Sequence, residues 1–218
     1  HVTRPKQADE HGKGSALKIG DDVTVGLLHH AGTGPWETFT LLNSLREVEP
    51  TIGLVLAATI IGMARITTFR RAFAYDAWAN RRLLEVFADL PIPHEVLSTW
   101  SHLLLAERLW LDRILGDERN PLVLWSVLTI AESSMLVSEL ERRWAHLLED
   151  LPDKELDRDI SFTDTKGHPQ TDRLADVLSH VTHHAAYHRG QLTVRLVAAG
   201  ITPPVSDLIA WSRAQRPA

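Results

Sequence analysis

Histidines crowd one short stretch of the chain. Four of them fall within nine residues, at positions 180, 183, 184 and 188. His180, His184 and His188 are each four residues apart, so neighbouring members share one face of a helix, one turn apart. An i,i+4 pair of histidines can chelate one metal ion at nitrogen–metal distances near 2.1 Å. The stretch therefore predicts a metal site on a helix.

One ion is not expected to take all three of these histidines, because His180 and His188 are roughly 12 Å apart along the helix axis. One pair must recruit a ligand from another helix. His184 and His188 are the better pair, since they continue the inward apolar stripe of Val177, Val181 and Leu192. His102 directly precedes the leucine-rich segment 103–109 and is the natural third ligand. The competing interpretation is a set of buried structural histidines, each of which would need a hydrogen-bond partner.

Other polar residues receive a simpler interpretation. His180 and His183 are expected at the edge of the site rather than on the metal. His94, His146 and His168 are interpreted as surface or hairpin residues. Glu107 and Arg108 are interpreted as solvated or paired charges on the flank of a helix, and the seven tryptophans as core.

The composition limits the possible chemistry. The chain has 218 residues, of which 44% are hydrophobic and 23% charged, which is ordinary for a folded globular protein. It contains no cysteine, which excludes disulfides, thiolate metal sites and cysteine nucleophiles. The net charge of −5 gives no electrostatic footprint for nucleic acid, so no nucleic-acid partner is expected.

Four long amphipathic segments must position these histidines. Apolar residues recur at helical spacing, and proline or glycine ends each segment. A short alternating segment and a glycine turn predict a β-hairpin before the fourth helix. The predicted helices cover Ile66–Leu90, Glu95–Leu115, about 128–148 and about 172–199, the hairpin starts with Leu156–Phe162, and a last short helix covers Val205–Trp211. The predicted fold is an all-α four-helix bundle.

The first 62 residues differ from the rest. They contain eight of the twelve glycines and show no sustained helical or strand period. Their apolar run Thr51–Ala64 would be roughly 21 Å long as a helix, too short for a bilayer core of about 30 Å, so no membrane association is expected. The sequence begins with His1, and Met63 stands just before the first amphipathic helix. Residues 1–62 are therefore predicted to be a dispensable leader, disordered or extraneous, before a domain at 63–218.

Three segments resemble the DinB family of the DinB/YfiT-like metalloproteins. They are Phe73-Ala-Tyr-Asp-Ala-Trp-Ala-Asn80, His102-Leu-Leu-Leu-Ala-Glu-Arg-Leu-Trp110 and His180-Val-Thr-His-His-Ala-Ala-Tyr-His-Arg-Gly-Gln191. The resemblance implies an up-down-down-up four-helix bundle that holds a divalent metal, zinc or nickel, on His102, His184 and His188. The sequence departs from the family at His183, where relatives often have asparagine.

Three neutral imidazoles would leave a fourth metal position open, as at catalytic zinc sites. A metal there can lower the pKa of water towards about 7 or activate a thiol, which must be external because the chain has no cysteine. The candidate catalytic proton carriers are Tyr187, His183 and His180. Arg189 is a candidate for binding an anionic substrate or for pairing with a carboxylate. Asn80 and Asp76 are candidates for orienting a ligand.

Relatives implied by the resemblance include transferases and isomerases that use low-molecular-weight thiols. The predicted function is therefore a metal-dependent enzyme, a thiol-dependent S-transferase or a hydrolase, acting on a small molecule. The alternative is a non-catalytic metal- or ligand-binding bundle of the stress response. A cytoplasmic location and a homodimer are expected.

Overall fold

The computed structural model describes the backbone of residues 15–19, 23–27, 50–117 and 123–216, and the side chains of residues 65–117 and 123–216. The chain divides into two compact units, residues 1–60 and 61–218. The two helices that carry the histidines of the predicted metal site lie in the second unit. No helix in the described part of the chain is long and apolar enough to cross a membrane.

In the first unit, two short strands pair. Strand β1 (Ser15–Ile19) is antiparallel to β2 (Val23–Leu27), and Ile19 is opposite Val23. Strands of five residues are too short to appear as a sustained period in the sequence. The remaining predictions for residues 1–49 lie outside the described residues, and the interpretation of residues 1–62 as a dispensable leader stays a prediction.

Helix α1 (Pro50–Ala88) begins well before its predicted start at Ile66. The apolar run at 51–64 and the amphipathic segment after it are one helix. Proline is favoured in the first helical turn, where its missing N–H has no partner to lose. The run also supplies good helix formers such as leucine and alanine. The prediction of a separate start at Ile66 is therefore wrong, whereas the end just before Pro91 is close to the prediction.

The next helices agree with their predicted bounds to within a few residues. They are α2 (His94–Leu115), α3 (Ile130–Glu149), α4 (Leu174–Ala198) and the short α5 (Leu208–Ala214). Helix α2 ends at Gly116, whose φ of 67° is left-handed and suits glycine. Helix α3 begins with a capping box, in which Thr129 and Glu132 each bond the other's backbone N–H.

A β-hairpin precedes α4, as predicted, although its strands lie slightly later. Strand β3 (Asp159–Thr163) pairs antiparallel with β4 (Pro169–Arg173). Leu156 instead belongs to a 3-10 turn (Asp153–Asp157), where its side chain is fully buried. In the connecting turn, Asp164 Oδ1 accepts hydrogen bonds from the backbone N–H groups of Lys166 and His168.

The core of the bundle is formed by inward faces of all four long helices, with α2 packed most closely on α4. Its largest fully buried side chains include Phe87, Trp100, Leu104, Leu148, Leu178 and Leu192. This packing holds α2 and α4, the two histidine-bearing helices, face to face. The predicted fold class, a helical bundle with a small antiparallel hairpin before the fourth helix, is confirmed.

Candidate metal centre

The three histidines predicted as ligands converge between α2 and α4. His102 is on α2, and His184 and His188 are on successive turns of α4. One ring nitrogen of each lies within 4.8 Å of the other two, and Nε2 of His184 is 3.1 Å from Nε2 of His188. Two nitrogens bound tetrahedrally to one ion at about 2.1 Å would be roughly 3.4 Å apart. The spacing of this group, the histidine triad, fits a single ion.

Two hydrogen bonds determine which nitrogen the rings of His102 and His188 present. His102 Nδ1 is 3.1 Å from the carbonyl oxygen of Leu124, and His188 Nδ1 is 2.9 Å from Oε1 of Gln191. Because both partners are acceptors, each Nδ1 carries the proton and donates it. Nε2 of each ring is therefore unprotonated in the neutral imidazole, and its lone pair is available. Such outer hydrogen bonds are the usual support of histidine ligands at metal sites.

The surroundings keep the triad neutral. Burial lowers the pKa of His102, and it also lowers that of His188, in each case against a hydrogen bond that favours the charged form. Burial, together with repulsion from His188, His102 and His180, lowers the pKa of His184 to about 4. Neutral imidazoles are the form that binds metal, so at pH 7 protons compete weakly for this site.

An exposed tryptophan covers one side of His102. The ring of Trp125 is stacked on the His102 ring with centroids 3.9 Å apart and an angle of 8° between the planes. Trp125 is 60% exposed, so it shields one face of the ring without closing the site. It follows Leu124 directly, and the same short segment therefore supplies both the hydrogen bond and the stacked ring that orient His102.

The three candidate catalytic residues lie on α4 beside the triad and are all exposed. The Tyr187 ring is 5.2 Å from that of His188, and the His180 ring is 5.5 Å from that of His184. Burial lowers the pKa of His180, with Asp172 opposing this effect. His183 is exposed on the same helix. The structure thus brings Tyr187 and His180 to the edge of the triad, and their catalytic roles stay predictions.

The two candidate substrate-binding residues lie together in a separate, buried group. Arg189 Nη1 donates to Asp76 Oδ1 at 2.6 Å and to Asn80 Oδ1 at 3.1 Å. Asn80 Nδ2 in turn donates to Glu107 Oε1 at 3.0 Å. We call Asp76, Asn80, Glu107 and Arg189 the polar cluster. Of the two interpretations of Arg189, pairing with a carboxylate is the contact observed, and substrate binding by Arg189 or Asn80 stays a prediction.

The sequence predicts that Glu107 is a solvated or paired charge on the flank of a helix, and the solvated alternative is wrong. Only 3% of its surface is exposed. Burial and the nearby Asp76 carboxylate raise the pKa of the Glu107 carboxyl well above its usual value, while Arg189 and Asn80 oppose this rise. The neighbouring apolar residues of α2 gave no sign of a buried acid, since the partners come from α1 and α4.

Sequence reasoning missed two further contributors to the site, Leu124 and Trp125. The Leu124 contact is made by a backbone carbonyl, which any residue type offers, so no sequence pattern could identify it. Trp125 was assigned to the core with the other tryptophans, although its side chain is mostly exposed. Trp125 lies between Pro121 and the start of α3, outside any apolar helical period. This position is the sequence feature that could have distinguished it from the core tryptophans.

Comparison with known proteins identifies the family of the chain. Residues 63–217 match the DinB family, so the chain belongs to that family. It is 24% identical over 153 residues to the protein DinB of Bacillus subtilis strain 168, and this match covers 63% of the chain and 89% of that protein. A solved DinB-like protein from Bacillus cereus ATCC 10987 is 20% identical, with 62% of this chain and 93% of that chain covered and a TM-score of 0.41. The resemblance found in the three sequence segments is confirmed.

Proposed function

We propose that the histidine triad binds one divalent metal ion, zinc or nickel, through Nε2 of His102, His184 and His188, and that the chain is a metal-dependent enzyme. The observation that carries this proposal is the convergence of three neutral imidazoles, two of which are held by Nδ1 hydrogen bonds to Leu124 and Gln191. Isolated structural histidines would not need their remaining nitrogens to meet at one point.

The side chains around the triad support an enzyme that acts on a small molecule. A divalent ion bound there would act as a Lewis acid towards water or an external thiol, favouring its deprotonation. His180 can accept a proton at the edge of the site, because partial burial of its ring lowers its pKa and favours the neutral form. The exposed Tyr187 hydroxyl can donate one on the other side, next to His188. These groups suit thiol S-transfer or hydrolysis, and both reactions require such proton transfers.

The metal assignment is tested by alanine substitution in the full chain. After equal metal loading, His102→Ala, His184→Ala and His188→Ala are each expected to weaken binding at least about a hundredfold, because each removes one of three ligands. His94→Ala and His146→Ala are matched controls on exposed helical positions and should leave the affinity unchanged. The measurement is the metal stoichiometry and dissociation constant of each variant.

The triad is wrongly assigned if His102→Ala retains full affinity while His180→Ala or His183→Ala abolishes binding. The reaction is tested separately, by supplying the metal-loaded chain with glutathione or cysteine and a panel of electrophiles, and with ester and amide substrates. Turnover that disappears in His188→Ala supports the enzyme. Metal bound by the triad with no turnover in either panel favours the non-catalytic alternative.

A further inference from the structure

A large cavity lies away from the histidine triad. It has a volume of about 650 Å³ and is lined by residues of α1, α3 and α5, with Glu107 contributed by α2. None of the three triad histidines lines it. Cavities of a few hundred to about a thousand Å³ are the size that holds small organic ligands in proteins.

The wall of this cavity is aromatic. Phe73 and Trp144 face each other across α1 and α3 with ring centroids 4.4 Å apart, and Trp78 and Trp211 also line the space. Trp211 already has the guanidinium carbon of Arg71 over its ring at 5.0 Å. Aromatic faces carry a negative electrostatic potential and attract organic cations. The wall therefore favours a positively charged or neutral occupant over an anion.

The polar part of the cavity has an excess of carboxyl groups. Asp76, Asn80 and Glu107 of the polar cluster line it, together with Glu141 and Glu149 at its edge. Arg81 pairs with Glu141 across the mouth, and Arg70 donates to the backbone oxygens of Leu148 and Glu149. Within the polar cluster, the Arg189 guanidinium donates to Asp76, whereas Glu107 accepts from the Asn80 amide. One buried carboxyl is thus left without a positive charge of its own, in agreement with the raised pKa of Glu107.

Two buried donors of the same region have no hydrogen-bond partner among the described residues. They are Nε1 of Trp144, a residue that is 3% exposed and lines the cavity, and Nη2 of Arg189 in the polar cluster. Buried polar groups are normally satisfied, so each unsatisfied donor calls for an acceptor that the protein itself does not supply. An oxygen substituent on a ligand would be such an acceptor.

We propose that this cavity is a second binding site, for a small organic monocation that carries an ammonium group and a hydroxyl or ether oxygen on an aromatic body. The ammonium group would pair with the Glu107 carboxyl and favour its charged form. The body would pack on the aromatic wall, and the oxygen would accept from Nε1 of Trp144, the unpartnered donor whose residue lines the cavity. This site is independent of the proposed metal function, because its lining contains no residue of the triad.

Three probes of similar shape test the charge preference. Tyramine is the cation, 4-ethylphenol its neutral analogue, and 3-(4-hydroxyphenyl)propanoate its anionic analogue. In calorimetric titrations of the metal-loaded full chain, tyramine is expected to bind at least about tenfold more tightly than 4-ethylphenol, and the anion more weakly than either. Equal affinity for all three, or tightest binding of the anion, would overturn the proposal.

Two variants place the binding in the cavity. Glu107→Gln removes the unbalanced carboxyl and should abolish the preference for tyramine over 4-ethylphenol, whereas Glu85→Gln, on the exposed surface of α1, should preserve it. Ala145→Trp fills the cavity from its exposed edge and changes none of the charged residues, so it remains informative if Glu107→Gln fails to fold. It should abolish binding of both tyramine and 4-ethylphenol.

An amine could also bind directly to a metal ion, and one further variant separates the two sites. Tyramine binding retained in His102→Ala and lost in Ala145→Trp supports the proposal. Binding lost in His102→Ala and retained in Ala145→Trp places the amine at the triad and refutes the second site. The metal stoichiometry of each variant is measured in parallel, so that a failure of the metal assignment is recognised separately.

Discussion

Helices α2 and α4 each serve two sites of opposite character. His102 and His188 belong to the histidine triad, whereas Glu107 and Arg189, on the same two helices, are buried in the polar cluster. Adjacent residues of a helix point about 100° apart, which is why His188 and its neighbour Arg189 can serve different sites. In the triad, neutral groups with similar chemistry converge. In the polar cluster, oppositely charged side chains and the amide of Asn80 are joined by hydrogen bonds.

The two sites differ in how many of their polar groups have hydrogen-bond partners within the site. The triad directs nitrogen lone pairs at one point, where two imidazoles lie at hydrogen-bond distance from each other. The polar cluster satisfies most of its own groups, and Arg189 and Asp76 are each about 95% buried in their side chains. We therefore expect loss of a triad residue to affect metal binding first, and loss of a cluster residue to affect folding first.

The largest expected effect is on stability, from breaking the buried pair. Asp76→Ala leaves the Arg189 guanidinium buried without its carboxylate, and is expected to cost about 3–5 kcal/mol of unfolding free energy. Urea unfolding measures this loss. Arg82→Ala, which removes an exposed pair with Glu85, is the control and should cost less than about 1 kcal/mol. A loss at Asp76→Ala no larger than that of the control would show that the cluster does not stabilise the bundle.

The next largest effect is expected on thermal stability, from metal binding at the triad. Metal at a hundredfold excess over its dissociation constant should stabilise the folded chain by about 2.7 kcal/mol, which raises the melting temperature by roughly 5–10 °C. A chelator should reverse the shift, and His188→Ala should abolish it. Asp76→Asn, a change in the other site, should keep the shift even if its melting temperature is lower. An equal shift in His188→Ala would place the bound metal elsewhere.

A smaller effect is expected from the hydrogen bond behind His188. Gln191→Leu removes the acceptor of the Nδ1 proton and should weaken metal binding about 10- to 100-fold, as the loss of outer partners of ligands does. Gln191→Glu keeps an acceptor oxygen and should retain most of the affinity. The measurement is the metal dissociation constant of each variant. Equal losses in both would mean that Gln191 acts through packing rather than through this bond.

The sequence alone predicts the histidine triad but not the polar cluster or the start of α1. The convergence of His102 with His184 and His188 was accessible, because a helical spacing and an apolar stripe define which side chains point inwards. Glu107 was misplaced because its burial depends on Asn80 and Arg189, which are distant in sequence. The start of α1 was misplaced because an apolar run without polar alternation has no period to identify it. Local sequence patterns predict which face of a helix points inwards. Which charged residues are buried depends on contacts between helices, which such patterns do not reveal.

The smallest effect is expected from pH in the metal-free chain, because His184 is only half-buried. Folding lowers the pKa of His184 from 6.5 to about 4, so below pH 6.5 the unfolded chain binds more protons than the folded chain. Stability should therefore fall as the pH decreases from about 6.5 towards 4. Unfolding of the chelator-treated chain at several pH values measures this slope. His184→Gln should flatten the slope, and a slope unchanged by this substitution would contradict the assignment.

The segment between α2 and α3 also affects how fast the His102 side chain can move. Ser101 Oγ accepts from the backbone N–H of Leu128, and the next residue, His102, is held by the Leu124 carbonyl and the Trp125 ring. An unrestrained imidazole changes rotamer in picoseconds to nanoseconds, whereas loops move in nanoseconds to microseconds or more slowly. The hydrogen bond to Leu124 and the stacked Trp125 ring both resist rotation of His102, so we expect its motion to follow that of the segment. We therefore expect the loop, rather than the ring, to set the rate at which an ion bound by the proposed metal site would enter or leave it.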